Sequence, residues 1–357
     1  MLDSIMSFLL SFFTTNQLDS SGLKVNQTAP SVINETIEPP AESEVLELPE
    51  LPTKEVIIKG ENHPLSMKTF MDQNFEGTDF KIGNLLNDWG THKSYYATHI
   101  SNGLKISGTW HVPNGEGPFP LLILNHGYFP PETYTNGYGF GREQKYFARN
   151  GYAVFHTDYR GYAFSDKDPL AHSGRRFGYT GYSADAINAI VSIKAANLPY
   201  VDTKRVGLLG HSMGGGVTLN AALARPDLID AAVLWGPVSS DTYDNFKKWT
   251  EARLNQEGKE VFESAFGSID NRESFKAVSA RTYLSDLTVP LLIQQGTADE
   301  SCPVEWARAT EAELTALNKD FAYIEYEDYP HVFWDAQWDR AAANALEYLN
   351  ENVKEKP

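Results

Sequence analysis

The chain has 357 residues, enough for one large α/β domain with additions or two modest domains, and its 41% apolar and 12% aromatic content suits a sizeable core. Forty-seven Asp and Glu against 30 Lys and Arg leave a formal net charge of -17, which argues against a nucleic-acid partner or an anionic membrane surface, since nothing would neutralise phosphates. The one cysteine, Cys302, excludes an intramolecular disulfide, and no run reaches the roughly 18–20 apolar residues of an integral membrane span.

Residues 1–19 read as a leader, because Ile5 to Phe13 is apolar and has the length of a signal h-region, although Asp3 stands where a signal carries basic residues. Residues 20–53, with E-P-P-A-E-S-E and E-L-P-E-L-P, are too polar and Pro-rich to bury a core and read as a disordered acidic tether. A leader followed by a tether suits export or surface anchoring better than a frayed cytoplasmic terminus. Residues 54–102 hold turn signals and scattered aromatics without sustained periodicity, and are expected to pack on the main domain as an N-terminal extension.

From Gly103 the pattern becomes regular and residues 103–357 read as one domain. L-K-I-S-G-T-W-H-V alternates like an antiparallel strand, and Leu121 to Asn125 is a buried-strand run. Strands are expected at Tyr152 to Thr157, Val206 to Leu209, Ala231 to Trp235, Pro290 to Gln294 and Phe321 to Tyr326. Helices are expected at Arg142 to Arg149, Ala184 to Ala195, Val304 to Leu317 and Gln337 to Asn350. Such alternation calls for an α/β fold with a mostly parallel sheet covered on both faces and a ligand site at the carboxyl ends of its strands. Residues 241–285 interrupt it with a polar, helical-looking segment. Chain inserted there should hang over the active end of the sheet as a small cap, with Trp249 and Phe262 as candidate walls of a substrate pocket.

The chemistry is signalled by Gly210-His211-Ser212-Met213-Gly214, a G-x-S-x-G between an apolar strand and a helix-forming run. A strand-to-helix turn this tight needs glycine at Gly210 and Gly214 and lifts the Ser212 hydroxyl clear of the sheet. Ser212 is therefore the candidate nucleophile. The helix after it turns N–H groups and a positive dipole end towards any anion at the serine, so the Met213 N–H is a candidate oxyanion donor. An activated serine needs a base, and after an elbow of this kind the order is Ser, then Asp or Glu, then His. Of nine histidines only His331 follows Ser212, in Y-P-H-V-F before the last helix. The acid should follow a strand; P-L-L-I-Q-Q-G-T-A-D-E puts Asp299 there, with Glu300 as the neighbour that competes for the role and Asp286 at the wrong end of the strand. A second oxyanion donor fits the loop L-I-L-N-H-G-Y-F-P-P, where Gly127 allows close approach and Tyr128 can face the site. His126 reads as structural, and Asp158-Tyr159-Arg160-Gly161 as a loop brace containing an Arg–Asp pair. No metal site is expected at Asp158, Asp166 and Asp168, which lack clustered His or Cys.

N-H-G-Y, D-Y-R-G-Y-A-F-S-D, G-H-S-M-G-G-G, G-T-A-D and P-H-V-F, in this order, resemble the α/β-hydrolase superfamily. The resemblance is nearest to the prolyl-oligopeptidase-like (S9) catalytic domain and the dienelactone-hydrolase-like esterases, and it covers Gly103 to Val353. It implies an α/β-hydrolase fold and a serine hydrolase with Ser212, Asp299 and His331 as its triad, working without a cofactor. Two departures stand out. Pro330 occupies the position where the family usually has glycine before the histidine, and the hundred or so residues before Gly103 cannot supply the β-propeller of the large S9 peptidases. The expected substrate is therefore a small or medium carboxylic ester; the alternatives are a short peptide, or a non-catalytic fold used for binding.

Overall fold

The computed structural model describes residues 59–168 and 179–355; the leader and the tether lie outside them. The described residues build a nine-stranded sheet: β1 (Gly77–Asp88), β2 (His92–Ser101), β3 (Leu104–Pro113), β4 (Phe119–Asn125), β5 (Ala153–Thr157), β6 (Val201–His211), β7 (Ala231–Trp235), β8 (Leu291–Gly296) and β9 (Phe321–Tyr326). Their spatial order is β1-β2-β3-β5-β4-β6-β7-β8-β9. β1, β2 and β3 run antiparallel, as does the β3–β5 pair, and from β5 through β4 to β9 every pair is parallel. This is the architecture of the α/β-hydrolase fold expected above.

The parallel strands carry apolar runs in the middle of the sheet because both of its faces are covered there. In β4, Leu121 and Ile123 enter one core and Leu122 and Leu124 the other. The first core receives helices α1 (Met67–Asp72), α3 (Thr180–Ala196), α4 (Met213–Ala224) and α6 (Val304–Ala316). The second receives α2 (Gly141–Arg149) and α7 (Asp335–Leu349).

Residues 77–101, which show no sustained periodicity, form two long strands of the sheet itself. The reason is chemical. The buried side chains of β2 are His92 and Ser94 on one face and Ala97, His99 and Ser101 on the other, so burial does not follow hydropathy. β1 lies at the sheet edge and is exposed along most of its length.

Between β7 and β8, residues 241–286 fold into short helical segments, the longest being α5 (Gln256–Phe266). They enclose a small core of their own made of Phe246, Phe262, Ile269, Phe275 and Val278. No helix among the described residues is long and apolar enough to cross a membrane.

Candidate active site

β6 ends at His211 and α4 begins at Met213, which leaves Ser212 alone between strand and helix with φ 57° and ψ -121°. A non-glycine residue at such angles costs of the order of 1–3 kcal/mol and persists only where its surroundings over-determine it. Here they do: the Ser212 N–H donates to the Trp235 carbonyl at 3.0 Å, and the Ser212 carbonyl accepts from Gly215 at 2.9 Å and Val238 at 3.1 Å. Both elbow glycines are sterically required. A Cβ on Gly210 would run into the Gly214 carbonyl, and one on Gly214 into the Asn125 carbonyl.

Asp299 follows β8 across a tight turn, and its side chain is 1% exposed. Its Oδ1 accepts from the backbone N–H groups of Ser301 at 2.9 Å and Cys302 at 2.7 Å. Its Oδ2 accepts from Gln295 Nε2 at 3.1 Å and faces His331 Nδ1 at 2.8 Å. Four donors around a buried carboxylate keep it oriented, and since a carboxylate only accepts, the contact places the His331 proton on Nδ1 and leaves the Nε2 lone pair free. Glu300 makes no such approach: its backbone carbonyl accepts from Lys248 Nζ at 2.8 Å, on the outside of the turn.

The loop carrying Gly127 passes directly over the elbow, since a Cβ on Gly127 would lie 3.2 Å from Ser212 Cβ. Tyr128 is 56% exposed beside it. Met213 opens α4, and the first N–H groups of a helix have no intrahelical partner. His126 is buried with Nδ1 2.6 Å from the Gly127 carbonyl and Nε2 3.2 Å from that of Asp158; burial lowers its pKa to about 4, so the ring stays neutral and donates to one of the two carbonyls.

Neighbours that the sequence leaves unmarked complete the geometry. Gln295 supports the acid from the end of a fully buried strand, where a polar Gln pair is the signal that could have exposed it. Gly236 sits where a Cβ would lie 3.4 Å from Asp299 Oδ2 and 3.6 Å from His331 Nδ1. Cys302 is buried, and desolvation pushes its thiol well above the usual range. Ligand atoms of Asp299, Cys302 and His331 lie within 4.8 Å of one another, a set that a soft cation could use only by breaking the Asp299–His331 hydrogen bond.

Two expectations change, those for Phe262 and for the partner of Arg160, while Trp249 keeps its candidacy. Phe262 lines no open wall: it is fully buried among Phe246, Phe266 and Phe275, so its side chain belongs to the insertion's own core. Trp249 is half-buried against the main core with its ring edge-on to Trp306 at 5.4 Å, on the segment whose Lys248 touches the acid turn. Arg160 pairs with Asp185, through Nε at 3.0 Å and Nη2 at 2.8 Å, and with Asp168 at 2.7 Å, rather than with Asp158. Asp158 is instead saturated by Ser107, Tyr134, Asn136 and the Gly137 N–H.

Residues 138–356 match the model of the prolyl oligopeptidase family. Among curated relatives, an uncharacterised peptidase of Bacillus subtilis (strain 168), YuxL, is 26% identical over 267 residues, 71% of this chain and 37% of that protein. The esterase FrsA of Escherichia fergusonii is 25% identical over 205 residues, 57% of this chain and 44% of its own. The chain thus spans less than half the length of either relative. Among solved structures, acetyl xylan esterase 1 from Thermoanaerobacterium sp. superposes with a TM-score of 0.58 at 18% identity, covering 82% of this chain and 95% of that one. The acylaminoacyl peptidase of Pyrococcus horikoshii superposes with a TM-score of 0.60 at 20% identity, covering 76% and 45%.

Proposed function

Since the chain belongs to the prolyl oligopeptidase family, we propose that it is a serine hydrolase cleaving a carboxylic ester of a small or medium substrate through an acyl-enzyme. Ser212 Oγ attacks the carbonyl carbon while His331 Nε2 takes its proton; Asp299 stabilises the imidazolium through Nδ1. The N–H groups of Met213 and Tyr128 receive the oxyanion. Collapse expels the alcohol, which takes the proton back from His331, and water repeats the sequence to release the acid and free Ser212.

The observation that carries this reading is the over-determined backbone of Ser212 beside an Asp299–His331 pair held at 2.8 Å. One further point favours an ester over a peptide. An esterase stands among the relatives, and an acetyl xylan esterase is matched over nearly its whole chain. The peptidase reading keeps the support of the 26% identical peptidase relative and of the acylaminoacyl peptidase structure.

Fluorophosphonate labelling of the full chain tests the mechanism: the wild type should label and Ser212→Ala should not. Turnover of p-nitrophenyl esters should then exceed that of aminoacyl anilides. Labelling that survives Ser212→Ala would overturn the nucleophile, faster anilide turnover would select the peptidase, and a wild type that neither labels nor turns over would leave a binding fold.

A further inference from the structure

The loop that carries His331 is thinly held. It runs from the end of β9 to the start of α7, and of the three residues that follow His331, Val332 is 39% and Trp334 54% exposed, with only Phe333 buried between them. Pro330 has no N–H to donate. At its near end the Tyr329 carbonyl accepts from Ala298 at 3.1 Å. Beyond that, two side chains from other elements reach its carbonyls. His211 Nε2 lies 2.9 Å from the His331 carbonyl, and Arg142 Nη2 lies 3.0 Å from the Phe333 carbonyl.

We infer that His211 and Arg142 are positioning residues that suspend the base loop over the nucleophile, an inference that rests on the reading of His331 as the base. His211 is the residue before Ser212, so one side chain ties nucleophile and base together, its ring 4.6 Å from that of His331. A carbonyl cannot donate, so His211 Nε2 must carry the proton. Burial first, then the neighbouring His331, lowers the His211 pKa to about 3, which keeps the ring neutral and this tautomer in place. Arg142 opens α2, the helix that follows the Tyr128 loop. Its guanidinium stacks 5.1 Å over Trp334 and 4.9 Å over Trp338, while Trp338 Nε1 donates to the adjacent buried Glu143 at 2.5 Å. The loop before α7 and the loop before α2 are thereby braced against each other.

Neither residue needs to touch substrate. A base works only within about 2.6–3.2 Å of the atom that gives up the proton, and a misplacement of about 1 Å can cost about 100-fold in rate. The test uses p-nitrophenyl acetate turnover and the rate of fluorophosphonate labelling of the full chain. His211→Phe keeps a ring and loses the donor; His211→Gln restores an amide donor at similar reach; Arg142→Met loses the fork and Arg142→Lys keeps one donor. The Phe and Met variants should lose about 10- to 100-fold in kcat with KM changed less than about 2-fold, and labelling should slow by the same factor. His211→Gln and Arg142→Lys should recover most of that loss. Thermal melts identify variants that merely unfold, and the independent Arg142 pair carries the test if His211→Phe is one of them. Unchanged kcat in folded His211→Phe and Arg142→Met, or equal losses in His211→Phe and His211→Gln, overturns the inference. A wild type without turnover or labelling overturns the functional reading instead.

Discussion

Lowering the pH from about 7 to about 5.5 should remove much of this protein's stability, because the fold encloses histidines that cannot take up a proton. Burial, which penalises the imidazolium, pushes His99 and His126 down to about 4 and His111 and His211 down to about 3. In the unfolded chain each titrates at about 6.5. Between these values the unfolded state binds more protons than the folded one, so the stability is present above about pH 6.5 and is lost as the pH falls. At about pH 5.5 an unfolded imidazole is about nine-tenths protonated while its buried counterpart is still neutral, a difference of about 1.2 kcal/mol relative to pH 7. Four such residues lose about 5 kcal/mol together, set against the about 5–15 kcal/mol of an ordinary domain. His156 is displaced in the same direction by burial. Glu143 and Asp158, both raised by burial, act the other way once the pH falls far enough for them to protonate in the fold. Urea unfolding followed by tryptophan fluorescence at the two pH values measures the loss. His99→Phe, which cannot titrate, should reduce it by about 1.2 kcal/mol. Equal unfolding midpoints at both pH values, or a His99→Phe protein with the wild-type pH dependence, would refute the argument.

His331→Ala should lower kcat on p-nitrophenyl esters by several powers of ten, on the order of the loss from Ser212→Ala, with the melting temperature retained; near-normal turnover would remove His331 as the base. Arg160→Met leaves the fully buried Asp185 side chain with the Ser101 hydroxyl and the residue-160 N–H but without its charge partner, and should destabilise by about 3–5 kcal/mol in denaturant titrations; a cost under about 1 kcal/mol would mean that the brace contributes no more than a surface pair. Trp249→Ala should shift the preferred acyl chain length and KM while Ser212 still labels; an unchanged chain-length profile with a lower melting temperature alone would make Trp249 a packing residue.

Much of the candidate site was legible in one dimension because it is local. The elbow is five consecutive residues, with Gly210 demanded by the Gly214 carbonyl inside the turn and Gly214 by the Asn125 carbonyl of the neighbouring strand, and order along the chain singled out Asp299 and His331, which the fold brings to 2.8 Å of one another. The parallel strands were legible because burial on both faces gives them apolar runs. β2 escaped because its buried positions are mostly histidine and serine and pass from one face to the other along the strand, so the contrast that periodicity measures is absent there.

What only the tertiary structure decided are the pairings between distant residues. Phe262 and Trp249 read alike as apolar positions on helical segments, and only packing shows that one is enclosed by three phenylalanines while the other meets Trp306 beside the acid turn. Arg160 had several aspartates within reach in sequence, and the fold gave it Asp185 and Asp168 by spending Asp158 on four other donors. The contacts from His211 and Arg142 to the base loop cross 120 and 191 residues. Propensity and periodicity report how a residue meets water and its near neighbours; which side chain ends up beneath which carbonyl is set by the assembled sheet, and so is written only in three dimensions.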